Sequence, residues 1–130
     1  MGEMVATGWD LGGAHIKAAQ IDAAGRLRRA IQLPCALWRG LEHLEAALAS
    51  LDRELLPPDL LGVTMTGELV DLFADRSEGV GRLIDAMLAH YPGRELRFYA
   101  GEMGFLQAAA AMRSTCARAA AGARKPISPA

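Results

Sequence analysis

The stretch Gly8-Trp9-Asp10-Leu11-Gly12-Gly13-Ala14-His15-Ile16-Lys17 decides how the chain is read. Met4 to Trp9 is a short, largely apolar run that ends at Asp10 and the Gly12-Gly13 pair. His15 to Ile21 resumes with Ile16, Ala18 and Ile21 among polar Lys17 and Gln20. Two such runs around a Gly-Gly pair read as an antiparallel hairpin. Asp22-Ala23-Ala24-Gly25 is a second turn signal, and Leu27 to Leu33 is a third strand whose start is crowded by Arg26, Arg28 and Arg29.

Outward from this meander the hydrophobic period changes. Apolar residues at Leu41, Leu44, Ala47, Leu48, Leu51 and Leu55 share one helical face, and Pro57-Pro58 stops the helix. Leu60 to Met65 is a compact buried strand. It runs through Thr66-Gly67-Glu68 into a second helix that extends to about His90 with a break at Gly79. Tyr91-Pro92-Gly93 ends that helix, Leu96 to Tyr99 is a last strand, and Gly101 to Met112 is helical. Three antiparallel strands followed by α-β-α-β predict an α/β domain with a mixed five-stranded sheet over residues 1–112. Residues 113–130, rich in Ala, Arg, Gly and Pro, offer little to bury and are expected to fray.

Composition limits the function classes. The 130 residues are 52% hydrophobic, enough for one domain's core. Fourteen basic against fifteen acidic residues leave a net charge of −1, so nothing draws the chain to nucleic acid or to an anionic membrane. No apolar run approaches the roughly 20 residues of a membrane helix, and no basic region precedes an apolar one at the N-terminus. Cys35 and Cys116 lie far apart without metal-ligand spacing, which suits reduced thiols and a cytoplasmic location.

An acidic residue ending a strand, followed by glycines in a tight turn, suits a phosphate and metal site. Exposed amides take the anion's oxygens, Asp10 holds a cation or water beside it, and Lys17 supplies a point charge. Such a cradle calls for close backbone approach and a positive φ at Gly12 or Gly13. The same residues also spell an ordinary Asp-Gly-Gly hairpin turn, and spacing alone does not separate the two. Glu68, Asp71 and Asp75 recur at i, i+3 and i+7, so on a helix they share a face. Arg76 or a magnesium ion would relieve their repulsion; equally, they are an acidic first turn suited to the helix dipole. Cys35 reads as a small buried side chain, Trp38 as packing at the start of the first helix, and His43 and His90 as surface residues. Glu102, just after the last strand, is an additional candidate.

Asp-x-Gly-Gly-x-x-x-Lys between two strands resembles the first phosphate-binding hairpin of the actin, hexokinase and Hsp70 ATPase superfamily. The resemblance implies a ribonuclease H-like (actin-like ATPase) lobe. Ala14 and His15 stand where nucleotide-binding members carry Thr, Ser or Asn. A narrower similarity rests on three stretches: Gly8 to His15, Pro34-Cys35-Ala36-Leu37-Trp38-Arg39-Gly40-Leu41, and the thirteen residues Thr64 to Arg76. Together they look like the hydantoinase/oxoprolinase-related family of tetrahydromethanopterin-linked one-carbon metabolism, whose archaeal relatives are synthases of methanofuran biosynthesis. The resemblance implies a transferase that joins the phenol oxygen of glutamyl-tyramine to an aminomethyl-furan diphosphate and expels pyrophosphate. An ATP-dependent hydrolase or kinase is the alternative. On this reading Asp10, Lys17 and Glu68 are catalytic, and Gly12, Gly13, Ala14 and Lys17 bind phosphate. Thr66, Gly67 and His15 contact substrate, and Asp10 and Asp71 hold Mg2+. The superfamily closes its cleft with a second lobe bearing another Asp-x-Gly turn, and none occurs after Gly104. The chain is therefore expected to need a second lobe or to pair with a copy of itself.

Overall fold

Alternation of inward and outward side chains builds the first strands of the computed structural model, which describes residues 5–67, 72–100, 104–108 and 110–111. Strand β1 (Val5–Leu11) turns Val5, Thr7, Trp9 and Leu11 inward, and β2 (His15–Asp22) does the same with Ile16, Ala18, Gln20 and Asp22. They pair antiparallel with Asp10 opposite Lys17 and Trp9 opposite Ala18. Asp22 shapes the next turn by accepting the amides of Ala24 and Arg26, while Gly25 takes φ +80°, and β3 (Leu27–Pro34) then pairs with β2. Its exposed arginines keep this edge strand from recruiting another chain.

Helix α1 (Leu41–Asp52) follows a single 3-10 turn at Leu37–Arg39 and buries Leu44, Ala47, Leu48 and Leu51. Strand β4 (Leu60–Met65) adds parallel to β1, with Gly62 beside Gly8 and Thr64 beside Asp10. Helix α2 (Arg76–His90) buries Val80, Leu83, Ile84 and Met87, and β5 (Glu95–Tyr99) lies parallel to β4. Both helices cover the same face of the sheet, where Trp9, Leu11, Ile16, Val63 and Phe98 join their apolar stripes in one core. Each fully buried Leu or Ile there contributes about 1.5–3 kcal/mol of transfer free energy. At the far end Asp52 ties the helices together, accepting from the Tyr91 hydroxyl at 2.7 Å and meeting His90 Nε2 at 2.6 Å.

The strand order β3-β2-β1-β4-β5, with β1–β3 antiparallel and β4 and β5 parallel to β1, is that of a ribonuclease H-like, actin-like lobe. Several expectations are corrected. Among the described residues the sheet has six strands, because Gly104 at φ +70° turns the chain and its carbonyl accepts from the Ala100 amide, setting β6 (Phe105–Leu106) against β5. Phe105 and Leu106 are thus extended where a helix is expected, and helical geometry is seen at Ala108, with the Ala111 amide on the Gln107 carbonyl; residues 101–103 and Met112 lie outside the described residues. Helix α2 starts at Arg76 rather than at Gly67. Extended Asp75 caps it by accepting the Glu78 amide at 2.8 Å, while the Glu78 carboxylate accepts the Ala74 amide at 2.6 Å. Asp75 therefore belongs to a cap and not to a helical face, while Glu68 and Asp71, expected to share that face, lie outside the described residues. No break occurs at Gly79, whose amide makes the helix's bond to the Asp75 carbonyl. Trp38 is 55% exposed, since Leu37 takes the buried place beside the core. His43 is half-buried, and His90 is held by Asp52.

Candidate phosphate-binding site

The sheet face opposite the helices is covered by no described element, and the charged residues of the opening motif project onto it. Asp10 lies opposite Lys17 on β2 and beside Thr64 on β4, and Lys17 lies opposite Gln32 on β3. Lys17 Nζ stands 4.0 Å from Asp10 Oδ2, with side chains 58% and 43% exposed. So long and wet a pair is worth little, and both groups stay available to a ligand.

Beyond this row the hairpin closes tightly. The Gly12 amide donates to the His15 carbonyl at 3.0 Å, leaving Gly13 and Ala14 at the tip. Among the described residues the Gly13 and Ala14 amides donate to no other group, whereas the Ala14 carbonyl accepts from the Cys35 amide at 2.8 Å. That last bond fixes the tip against the segment after β3. Neither Gly12 nor Gly13 has a positive φ, contrary to expectation. Glycine is needed at position 12 for proximity instead, because a Cβ there would sit 2.8 Å from the His15 carbonyl oxygen.

The end of β4 is drawn to the same corner. The Thr66 amide donates to the Leu11 carbonyl at 3.0 Å, and its hydroxyl lies 3.8 Å from where a Gly12 Cβ would be. Thr66 and His15 are exposed. Gly67 is buried, and a Cβ on it would come within 2.6 Å of Leu37 Cδ2 and 3.1 Å of the Leu11 carbonyl oxygen. Its immediate role is to let the chain pass close beneath β1.

The fold thus gathers Asp10, Gly12, Gly13, Ala14, His15, Lys17, Thr66 and Gly67 at one corner, with two tip amides, one cation, one carboxylate and a hydroxyl. Glu68, Asp71 and Glu102 lie outside the described residues. Gln32 was missed in the sequence; only the β2–β3 register places it beside Lys17. Among the described residues no three His, Cys, Asp or Glu side chains form a cluster fit for a metal. Asp10 alone suits a magnesium ion that keeps its waters and is shared with phosphate oxygens. Cys35 is buried as expected, and burial pushes its thiol up, away from nucleophilic use.

No protein-family model and no curated protein matches the chain. Among solved structures it is similar to the Ppx/GppA family member of Aquifex aeolicus, with a TM-score of 0.44 and 12% identity over 78% of this chain and 37% of that one. It is also similar to an exopolyphosphatase-like protein, with a TM-score of 0.47 and 17% identity over 78% of this chain and 34% of that one. The chain thus spans about a third of the length of either neighbour. Scores below 0.5 leave the fold assignment to the strand order itself. No helix among the described residues is long and apolar enough to cross a membrane.

Proposed function

We propose that the chain is the phosphate-holding N-terminal lobe of a transferase of the methanofuran type, in which the phenol oxygen of glutamyl-tyramine displaces pyrophosphate from an aminomethyl-furan diphosphate. The observation that carries the reading is the pair of tip amides at Gly13 and Ala14, held by the Cys35–Ala14 bond beside Lys17 and Asp10. Two adjacent amides and a lysine suit a diphosphate leaving group, whose charge rises as the carbon–oxygen bond breaks. Asp10 would hold a magnesium ion on the diphosphate, and that ion supplies further neutralisation of the leaving group. The resemblance noted over Gly8–His15, Pro34–Leu41 and Thr64–Arg76 is what suggests this substrate, and Glu68 and Asp71 join the proposed site on that resemblance alone.

One lobe makes half of a cleft, so the completed active site takes a second lobe or a partner copy. Ala14 and His15 offer no hydroxyl at the tip for the phosphates of ATP. Calorimetric titration of the chain with aminomethyl-furan diphosphate and with ATP, each with magnesium, tests the reading. Binding of the furan diphosphate at least tenfold tighter than ATP is expected. Tighter binding of ATP would replace the transferase with the ATP-dependent hydrolase or kinase.

A further inference from the structure

Away from the hairpin, on the helix side of the sheet, a cavity of about 370 Å3 lies between the loop after α1 and the loop after α2. Its floor is the inward face of β1 and β2, with Thr7, Trp9 and Gln20, and its sides include Leu56, Pro57 and Tyr91. Hydrogen bonds fix these walls before anything binds. The Gln20 side-chain amide donates to Thr7 Oγ1 at 2.8 Å and to the Leu56 carbonyl at 2.7 Å, and its oxygen accepts the Leu56 amide at 3.0 Å. Arg94 donates to the Pro58 carbonyl at 3.1 Å and so ties the second loop to the first. The Tyr91 hydroxyl gives its proton to Asp52.

One group in this wall is left over. Trp9 is 2% exposed and its ring centroid lies 5.9 Å from that of Tyr91, yet its Nε1 is buried without a hydrogen-bond partner. An indole N–H can only donate, and buried donors in folded proteins are nearly always paired. Among the described residues none supplies the missing acceptor. The Thr7 hydroxyl accepts from Gln20 and keeps its own proton to offer on the same floor.

We infer that this cavity is a binding site for a compact, uncharged aryl carbonyl compound, its oxygen accepting from Trp9 Nε1 and its ring lying between Tyr91 and the wall of Leu56 and Pro57. The lining selects this class. The unspent groups on the floor are donors, so the ligand must bring an acceptor. Thr7, Trp9 and Gln20 carry no charge, so an ionised group placed on them would lose its water without a counter-charge. Arg94 and Asp52, both exposed at the rim, carry opposite charges and favour neither an anion nor a cation. Aromatic, leucine and proline side chains around a volume of this size suit a flat apolar body. The site is separate from the diphosphate reading, which concerns the opposite face of the sheet.

NMR titration of the 15N-labelled full chain tests the inference. The chain has two indole N–H groups, and Trp38, 55% exposed and no part of this wall, serves as the internal control. Acetophenone should move the Trp9 indole signal downfield to saturation and leave that of Trp38 in place. Ethylbenzene, which matches it in size but has no acceptor, should bind about tenfold more weakly because it leaves the N–H unpaired. Trp9→Phe keeps a ring and removes the donor, so in that variant the two probes should bind equally, read from the Tyr91 amide. Equal affinity in the unmodified chain overturns the proposal even if Trp9→Phe fails to fold, and a preference that survives the substitution overturns it as well. A Trp9 signal that stays in place up to the solubility limit of acetophenone overturns the site, whether water or the chain itself fills the cavity.

Discussion

Gly12→Ala should damage the hairpin although Gly12 has an ordinary backbone conformation. The added Cβ would sit 2.8 Å from the His15 carbonyl oxygen, against an ordinary contact starting near 3.4 Å, so the two chains must part by about 0.6 Å. The obstacle is backbone and cannot swing aside as a side chain would. Parting also stretches the 3.0 Å bond from the Gly12 amide to that same carbonyl. Overpacking of this kind costs about 1–3 kcal/mol. At roughly 3–5 °C per kcal/mol for a domain of this size, the melting temperature should fall by about 3–15 °C. Gly8→Ala is the control, since its Cβ would meet nothing closer than 3.9 Å. Removing glycine's freedom in the unfolded chain should there be neutral or stabilising by up to about 1 kcal/mol. Differential scanning calorimetry of the two variants beside the unmodified chain reads both. A Gly12→Ala protein as stable as its parent, or equal shifts in the two variants, would refute the argument that proximity dictates glycine at this position.

Asp75→Ala should cost about 1 kcal/mol by leaving the first turn of α2 without its side-chain acceptor, read as a lower urea midpoint with unchanged slope. The amides of Arg26 and Ala24 hold the Asp22 carboxyl below the usual carboxylate range. Its contribution is therefore complete above the ordinary aspartate pKa of about 3.9 and is lost as pH falls through the lower folded value. Urea midpoints measured from pH 5 downward should fall less steeply for Asp22→Asn than for the parent. Burial and the neighbouring Asp52 carboxylate push the Tyr91 phenol well above the tyrosine range, so its stabilising effect is complete below about pH 10 and declines above it. In a Tyr99→Phe background, absorbance at 295 nm should stay flat until the chain unfolds in base.

The meander, both helices and β4 were legible because each carries its own period: two in the strands, near 3.6 over Leu44, Ala47, Leu48 and Leu51. The start of α2 is also written locally, in Asp75-Arg76-Ser77-Glu78 ahead of the apolar residues, but this capping signal overlaps the i, i+3, i+7 carboxylate spacing that reads as one helical face. Strand β6 is two residues long and leaves no periodicity to read. The proximity of Asp10, Lys17 and the hairpin tip was legible because a hairpin is a local object. The side-by-side placement of Gly8 and Gly62 was not, since it depends on a parallel register between strands separated by a whole helix. Which face the helices leave open is likewise a property of packing, visible only once α1 and α2 lie on the same side.

The most direct test of the diphosphate site is an amide-resolved NMR titration of the 15N-labelled chain with pyrophosphate and magnesium. The Gly13 and Ala14 amide protons should move downfield together and saturate, with the Lys17 side-chain signal following the same curve. The Gly12 amide, already donating to the His15 carbonyl, should move less. Unmoved Gly13 and Ala14 amides at a pyrophosphate concentration that saturates any other part of the chain would contradict the site.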